Sequence, residues 1–188
     1  MEATKNNAVV QSALVGLKLL LICAIIAGVV SFVYALTLEQ YEANILETKR
    51  QAIGAIFEKD SLDDPKQAAE IDGVVIYEVY ENGALIGYCA EVASAGFGGD
   101  IEMMIGYQSD GSILGVEFIS HSETPGLGSK AGQPAYLEQY VGQSGVLTLG
   151  TDVDAVSGAT VSSRAVLAGV NAATAALQSV LSGGAVNE

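Results

Sequence analysis

The sequence predicts an α+β domain, an antiparallel sheet of hairpins flanked by helices, preceded by one N-terminal transmembrane helix. Three observations lead there. Residues 19–38, LLLICAIIAGVVSFVYALTL, run for twenty positions without a charge. Four short β-type runs then follow one another through turn residues, and the chain closes on a stretch, 161–182, with apolar residues at helical spacing. Strands grouped together with helices on their flanks favour α+β over an alternating architecture.

At ~1.5 Å per residue, the apolar run spans the ~30 Å hydrocarbon core of a bilayer. The alternative is a cleavable signal peptide with Val33-Tyr34-Ala35 as a weak cleavage site. The apolar part of such a peptide runs only ~7–15 residues, which favours an uncleaved anchor. Lys18 stands at the edge of the run and Lys5 precedes it, whereas Lys49 and Arg50 follow at a distance, mixed with Glu39, Glu42 and Glu47. The positive-inside rule then predicts residues 1–18 in the cytoplasm. Cys23 packs inside the span. Ala24 and Gly28, four apart, either admit a partner helix closely or are ordinary helix residues.

Residues 39–72 read as a juxtamembrane helix and linker. The helix covers 39–59 with Ile45, Ile53 and Ile56 among its apolar positions, and 60–72 is a break carrying Asp60, Asp63, Asp64 and Pro65. The compact domain is expected at 73–188. Its strands VVIYEVY and ALIGYCAEV flank Asn82-Gly83, the strongest short hairpin signal. IEMMIGY and ILGVEFIS are joined through Ser109, Asp110, Gly111 and Ser112. Residues 121–134, HSETPGLGSKAGQP, are too rich in breakers for regular structure, and a short helix is expected around 135–142. Val166, Val170, Leu177 and Leu181 mark the buried stripe of the last helix.

Charge and composition narrow the function classes. Acids number 22 against 8 Lys and Arg, a net −14 that repels phosphate backbones and argues against nucleic acid. By difference, residues 39–188 hold 21 acids and 6 bases, a net −15 that the orientation above turns outward. Two cysteines and one histidine make neither a disulfide framework nor a four-ligand zinc site, and no metal site is expected.

The most unusual run is Asp154-Ala155-Val156-Ser157-Gly158-Ala159-Thr160-Val161-Ser162, directly before the last helix. Ser157 and Thr160 are capping residue types, and Gly158 lets the backbone bend closely. A helix start also presents N–H groups and a favourable dipole to a phosphate. Chemistry alone leaves two readings open, a phosphate-binding helix entrance or a plain cap.

This run resembles the flavinylation motif of the FMN-binding domain family. A second match, Glu123-Thr124-Pro125-Gly126-Leu127-Gly128, is similar to that family's loop beside the flavin. The resemblance implies FMN joined through its phosphate to the Thr160 hydroxyl by a flavin transferase that uses FAD. Ser157, Gly158, Ala159 and Ser162 would form the recognised frame. Glu123, Thr124, Gly126, Leu127 and Gly128 would lie beside the flavin. The layout resembles the G subunit of the Rnf ion-translocating electron-transport complex more than its relative, the C subunit of the sodium-pumping NADH:quinone reductase. It therefore implies an electron relay in the cell membrane, coupled to ferredoxin and NAD, with other membrane and iron–sulfur subunits as partners. No substrate turnover of its own is implied, and no catalytic residue is assigned. The resemblance also admits a flavinylated domain of some other extracytoplasmic reductase, and the competing class is an anchored interaction module without redox chemistry.

A covalent tether removes the need for a basic pocket, which suits a chain whose nearest cations are Arg164 and Lys130. Glu123 either bonds the flavin or caps a turn. His121 reads as a structural loop residue, Tyr88 and Tyr107 as strand packing, and Cys89 as a buried thiol. Phe97, in Gly96-Phe97-Gly98-Gly99, is free to reach a partner or a ring.

Overall fold

A computed structural model describes residues 2–59 and 61–183. Asp60, counted in the expected break, lies outside the described residues, as do 184–188 and the side chains of Lys5, Glu39 and Glu42. The elements are α1 (Glu2–Phe57), β1 (Lys66–Ile71), β2 (Val74–Glu81), β3 (Ala84–Ala95), β4 (Asp100–Tyr107), β5 (Ile113–His121), α2 (Pro134–Leu137) and α3 (Thr160–Leu181). The chain divides into two compact units, residues 1–46 and 47–188.

The first unit is helical throughout its described residues. Gly16–Leu38 is long and apolar enough to cross a bilayer, with a mean hydropathy of 2.8 and none of its residues buried by protein. A helix satisfies its own backbone groups, which is what lipid demands of a crossing segment. Cys23 is exposed on this surface.

In the second unit the five strands form one antiparallel meander, ordered β1-β2-β3-β4-β5. Asn82 and Gly83 both take positive φ, +52° and +77°, the mirror-image turn that matches strand twist. Asp72-Gly73 makes the same turn between β1 and β2, with φ of +51° and +78°. The second half of the expected break is therefore a correction: Lys66–Ile71 pair with β2 as an edge strand. At the other edge, the first residue of β5 is covered, Ile113 exchanging backbone bonds with Gln143 (2.8 Å) and Gly142 (2.8 Å).

Both faces of the sheet are buried, so its inner strand β4 is apolar beyond simple alternation. Ile101, Met103, Ile105 and Tyr107 of β4 join a core with Val166, Val170, Ala173 and Leu177 of α3. Met104, between them in sequence, faces the opposite core with Cys89, Val79, Ala52, Ile53 and Ile56. Ile53 and Ile56, apolar positions expected of a helix over 39–59, are buried there, while Ile45 is half-buried. Leu181, expected in the buried stripe of α3, is exposed at the last turn.

Two further corrections concern the loops. Residues 121–134 are not wholly irregular: Gly128–Gly132 form a 3-10 helix. The short helix expected around 135–142 begins at Pro134 and tightens into a 3-10 turn at Glu138–Tyr140. The irregular stretch that follows is held by side-chain amides imitating peptide groups. Asn171 accepts from Leu147 N and donates to its carbonyl, both at 2.9 Å. Gln139 accepts from Asp154 N at 2.7 Å.

Candidate functional site

Three segments far apart in sequence meet at one end of the sheet. The β3–β4 connection, Gly96–Gly99, is closed by Gly96 N bonding to Gly99 O at 2.9 Å. The segment after β5 supplies Glu123 to Gly128, and α3 supplies its first turn. Together they wall a cleft of about 350 Å3, lined by Phe97, Glu123, Thr124, Leu127, Gly128, Gly158, Ala159, Thr160, Val161 and Ser162. Eight of the ten site residues expected from sequence are in that lining; Ser157 and Gly126 are not.

Glu123 is the hub. Its side chain is buried, with the residue 4% exposed. Oε1 accepts the backbone N–H of Phe97 at 2.7 Å and of Gly98 at 3.1 Å. Oε2 accepts the Ser162 hydroxyl at 2.7 Å. Burial pushes this carboxyl up, but the Ser162 hydroxyl, the Gly98 and Phe97 amides and His121 together hold it below the ordinary carboxylate range. Glycines make the room: a Cβ on Gly128 would collide with Oε2, and one on Gly96 with Oε1. Gly128 lets the chain pass against the Glu123–Ser162 pair.

The start of α3 departs from a side-chain cap. The cap position is Ala159, with φ −133°, and it makes no side-chain capping bond. Ser157 is exposed and Thr160 is the first helical residue, also exposed. Neither acts as the expected cap, because the buried Ser163 holds this bend: its hydroxyl accepts Val156 N at 3.0 Å and its own N–H reaches Ala159 O at 2.9 Å. Helix-start N–H groups without intrahelical partners carry partial positive charge. Thr160 stands exposed beside these groups.

The remaining expected residues separate clearly. Phe97, Leu127 and Val161 line the cleft while staying 74%, 53% and 49% exposed, an apolar surface open to a flat ring. Among the described residues no Lys or Arg lines it, and both Arg164 and Lys130 lie outside the lining. His121 is exposed, stacks edge-on with Phe118 at 5.6 Å and accepts Glu123 N through Nδ1 at 3.2 Å. Tyr107 and Cys89 are fully buried and Tyr88 packs against the core. No cluster of three metal-ligating side chains occurs among the described residues.

Local sequence signals could not find Glu123's hub role, since its partners lie 25, 26 and 39 positions away. Gln139 and Asn171 likewise carry no motif.

Comparison with known proteins supplies the rest. Residues 96–175 match the FMN-binding domain family, which takes in all three walls of the cleft. The chain is 32% identical over 166 residues to the G subunit of the ion-translocating oxidoreductase complex of Methanosarcina acetivorans, covering 82% of this chain and 88% of that protein. It is 31% identical to the G subunit of the Na(+)-translocating ferredoxin:NAD(+) oxidoreductase complex of Acetobacterium woodii, covering 83% and 86%. In fold it is similar to the C subunit of the Na(+)-translocating NADH-quinone reductase of Parabacteroides distasonis, with a TM-score of 0.59 and 17% identity over 76% of this chain and 94% of that one. This chain belongs to the family of G subunits of ion-translocating oxidoreductase complexes, and it carries that family's FMN-binding fold.

Proposed function

We propose that this chain is a flavin-carrying electron relay of a membrane ion-translocating oxidoreductase, with FMN esterified through its phosphate to Thr160. The observation that carries the reading is the convergence of the two motif segments, 123–128 and 157–162, on one cleft with an exposed Thr160 at an uncapped helix start. The residues fit such a group. First-turn N–H groups of α3 suit a phosphate, and Phe97, Leu127 and Val161 offer apolar surface to a ring. The lack of a basic lining suits a tether better than reversible binding of a dianion. FMN, when bound, supplies reversible electron transfer, and the protein's share is to hold and orient it.

In maturation, Thr160 Oγ1 forms the bond to the FMN phosphorus of FAD, AMP leaves with the broken pyrophosphate oxygen, and the hydroxyl proton passes to the transferase. The name of the Acetobacterium relative supports ferredoxin and NAD as the couple served and other subunits of a complex as neighbours; by the resemblance of this chain's motifs those neighbours are membrane and iron–sulfur subunits. Residues 19–38 would anchor the chain with its N-terminus in the cytoplasm, leaving residues 39–188, with their net charge of −15, on the outer side.

The test is to express the chain with its flavin transferase, then look for ultraviolet-fluorescent flavin surviving denaturing electrophoresis, with intact mass on the same material. Thr160→Ala should abolish both signals. A colourless wild-type protein beside an active transferase would leave an anchored module without redox chemistry.

A further inference from the structure

We infer that the buried Glu123 carboxylate is a fixed negative charge behind the cleft that lowers the reduction potential of the flavin held there. The inference rests on the flavin reading of the cleft and goes beyond it by assigning a tuning group. Three observations carry it. First, all three contacts deliver hydrogens to the carboxylate: two backbone N–H groups can only donate, and the Ser162 hydroxyl occupies the other oxygen. That is the pattern of an ionised group. Second, no Lys or Arg among the described residues pairs with it. The ion pairs among the described residues are Lys49–Glu91, Arg50–Asp64 and Lys59–Glu81, all elsewhere. The facing titratable group, His121, turns an acceptor nitrogen toward the Glu123 N–H. Third, the pocket is built around the charge, since Gly96 and Gly128 keep clear the space its two oxygens fill.

A buried anion without a counter-charge is costly, and a glutamine would accept the same two amides at less expense of desolvation. The charge therefore needs a use beyond packing. Glu123 itself lines the cleft. In a partly dehydrated site its field is weakly screened, so adding electrons to a ring held beside it is less favourable. Lower flavin potential follows.

The experiment uses the full chain co-expressed with its flavin transferase, purified in detergent, and titrated spectroelectrochemically at neutral pH. Glu123→Gln should still carry flavin through denaturation, with its midpoint moved to more positive potential. Glu102→Gln removes an exposed carboxylate charge that lies outside the cleft lining, so its midpoint should stay near wild type. An unmoved or more negative midpoint in Glu123→Gln, or an equal shift in both variants, overturns the inference. Should Glu123→Gln fail to load, reduction-induced infrared difference spectra of wild type decide. Coupling is reciprocal, so reduction must perturb a carboxylate band, and its absence counts against the assignment. Wild-type protein without bound flavin would instead remove the attachment reading itself.

Discussion

Glu123 and Ser162, 39 positions apart, are joined by a 2.7 Å hydrogen bond beneath the cleft. That bond ties the loop after β5 directly to the first turn of α3, while the other Glu123 oxygen ties in the β3–β4 connection. The three walls are thus held by one side chain rather than by three separate loop structures.

Crowding that side chain should loosen all three. Gly128→Ala places a methyl group against Glu123 Oε2 and the Ser162 hydroxyl. Overpacking of this kind costs about 1–3 kcal/mol. Thermal unfolding should show a lower midpoint, and flavin incorporation should fall with it. A variant as stable and as fully loaded as wild type would show that the pair tolerates displacement.

Acid should act on the same bond. The Glu123 carboxyl titrates below its ordinary 4.5 in the native protein, so its contribution to stability is complete above that value and is lost as pH falls through the lower native one. His121, beside it, favours the ionised carboxylate. Stability measured below pH 4.5 should therefore fall more steeply for wild type than for Glu123→Gln. Parallel curves would mean the carboxyl titrates alike in the folded and unfolded chain.

Much of this architecture is legible in the sequence, for reasons that stop at the range of local signals. Asn82-Gly83 announces its turn because few other pairs accept two positive φ values. Asp72-Gly73 says the same, but the acids and Pro65 before it make the stretch read as a linker and hide β1. The capping types Ser157 and Thr160 mislead because the bend is held from Ser163, inside the helix. The two motifs locate the cleft by resemblance. What they do not disclose is that Glu123 spends its oxygens on protein donors, a fact of tertiary contact that no spacing encodes.

The opposite face of the sheet offers a packing test. Gly106 and Gly115 are register partners, and a Cβ on Gly106 would collide with Cγ2 of Ile56. Gly106→Ala alone should cost about 1–3 kcal/mol through overpacking, and Ile56→Ala about 2–5 kcal/mol through the void it leaves. The double variant removes the clash, so its loss should be smaller than the two single losses together by about 1 kcal/mol or more. Strict additivity in denaturation would show that Ile56 does not rest on these glycines.

The core hydrogen bond between Tyr107 and Thr174 makes a sharper prediction, because the donor can be assigned. Thr174 Oγ1 gives its hydrogen to Val170 O at 2.8 Å, so the Tyr107 hydroxyl, 3.1 Å away, must donate to Thr174. Burial pushes the Tyr107 phenol up and keeps it protonated. Thr174→Val removes the acceptor and strands a buried hydroxyl, a loss of about 1–3 kcal/mol, whereas Tyr107→Phe removes only the donor and should cost about 0.5–1.5 kcal/mol. Adding Tyr107→Phe to Thr174→Val deletes the stranded group, so the double variant should be more stable than Thr174→Val alone. Calorimetry of the four proteins fixes the order, and a double variant less stable than both single ones would mean that phenyl packing, not hydrogen-bond satisfaction, governs this part of the core.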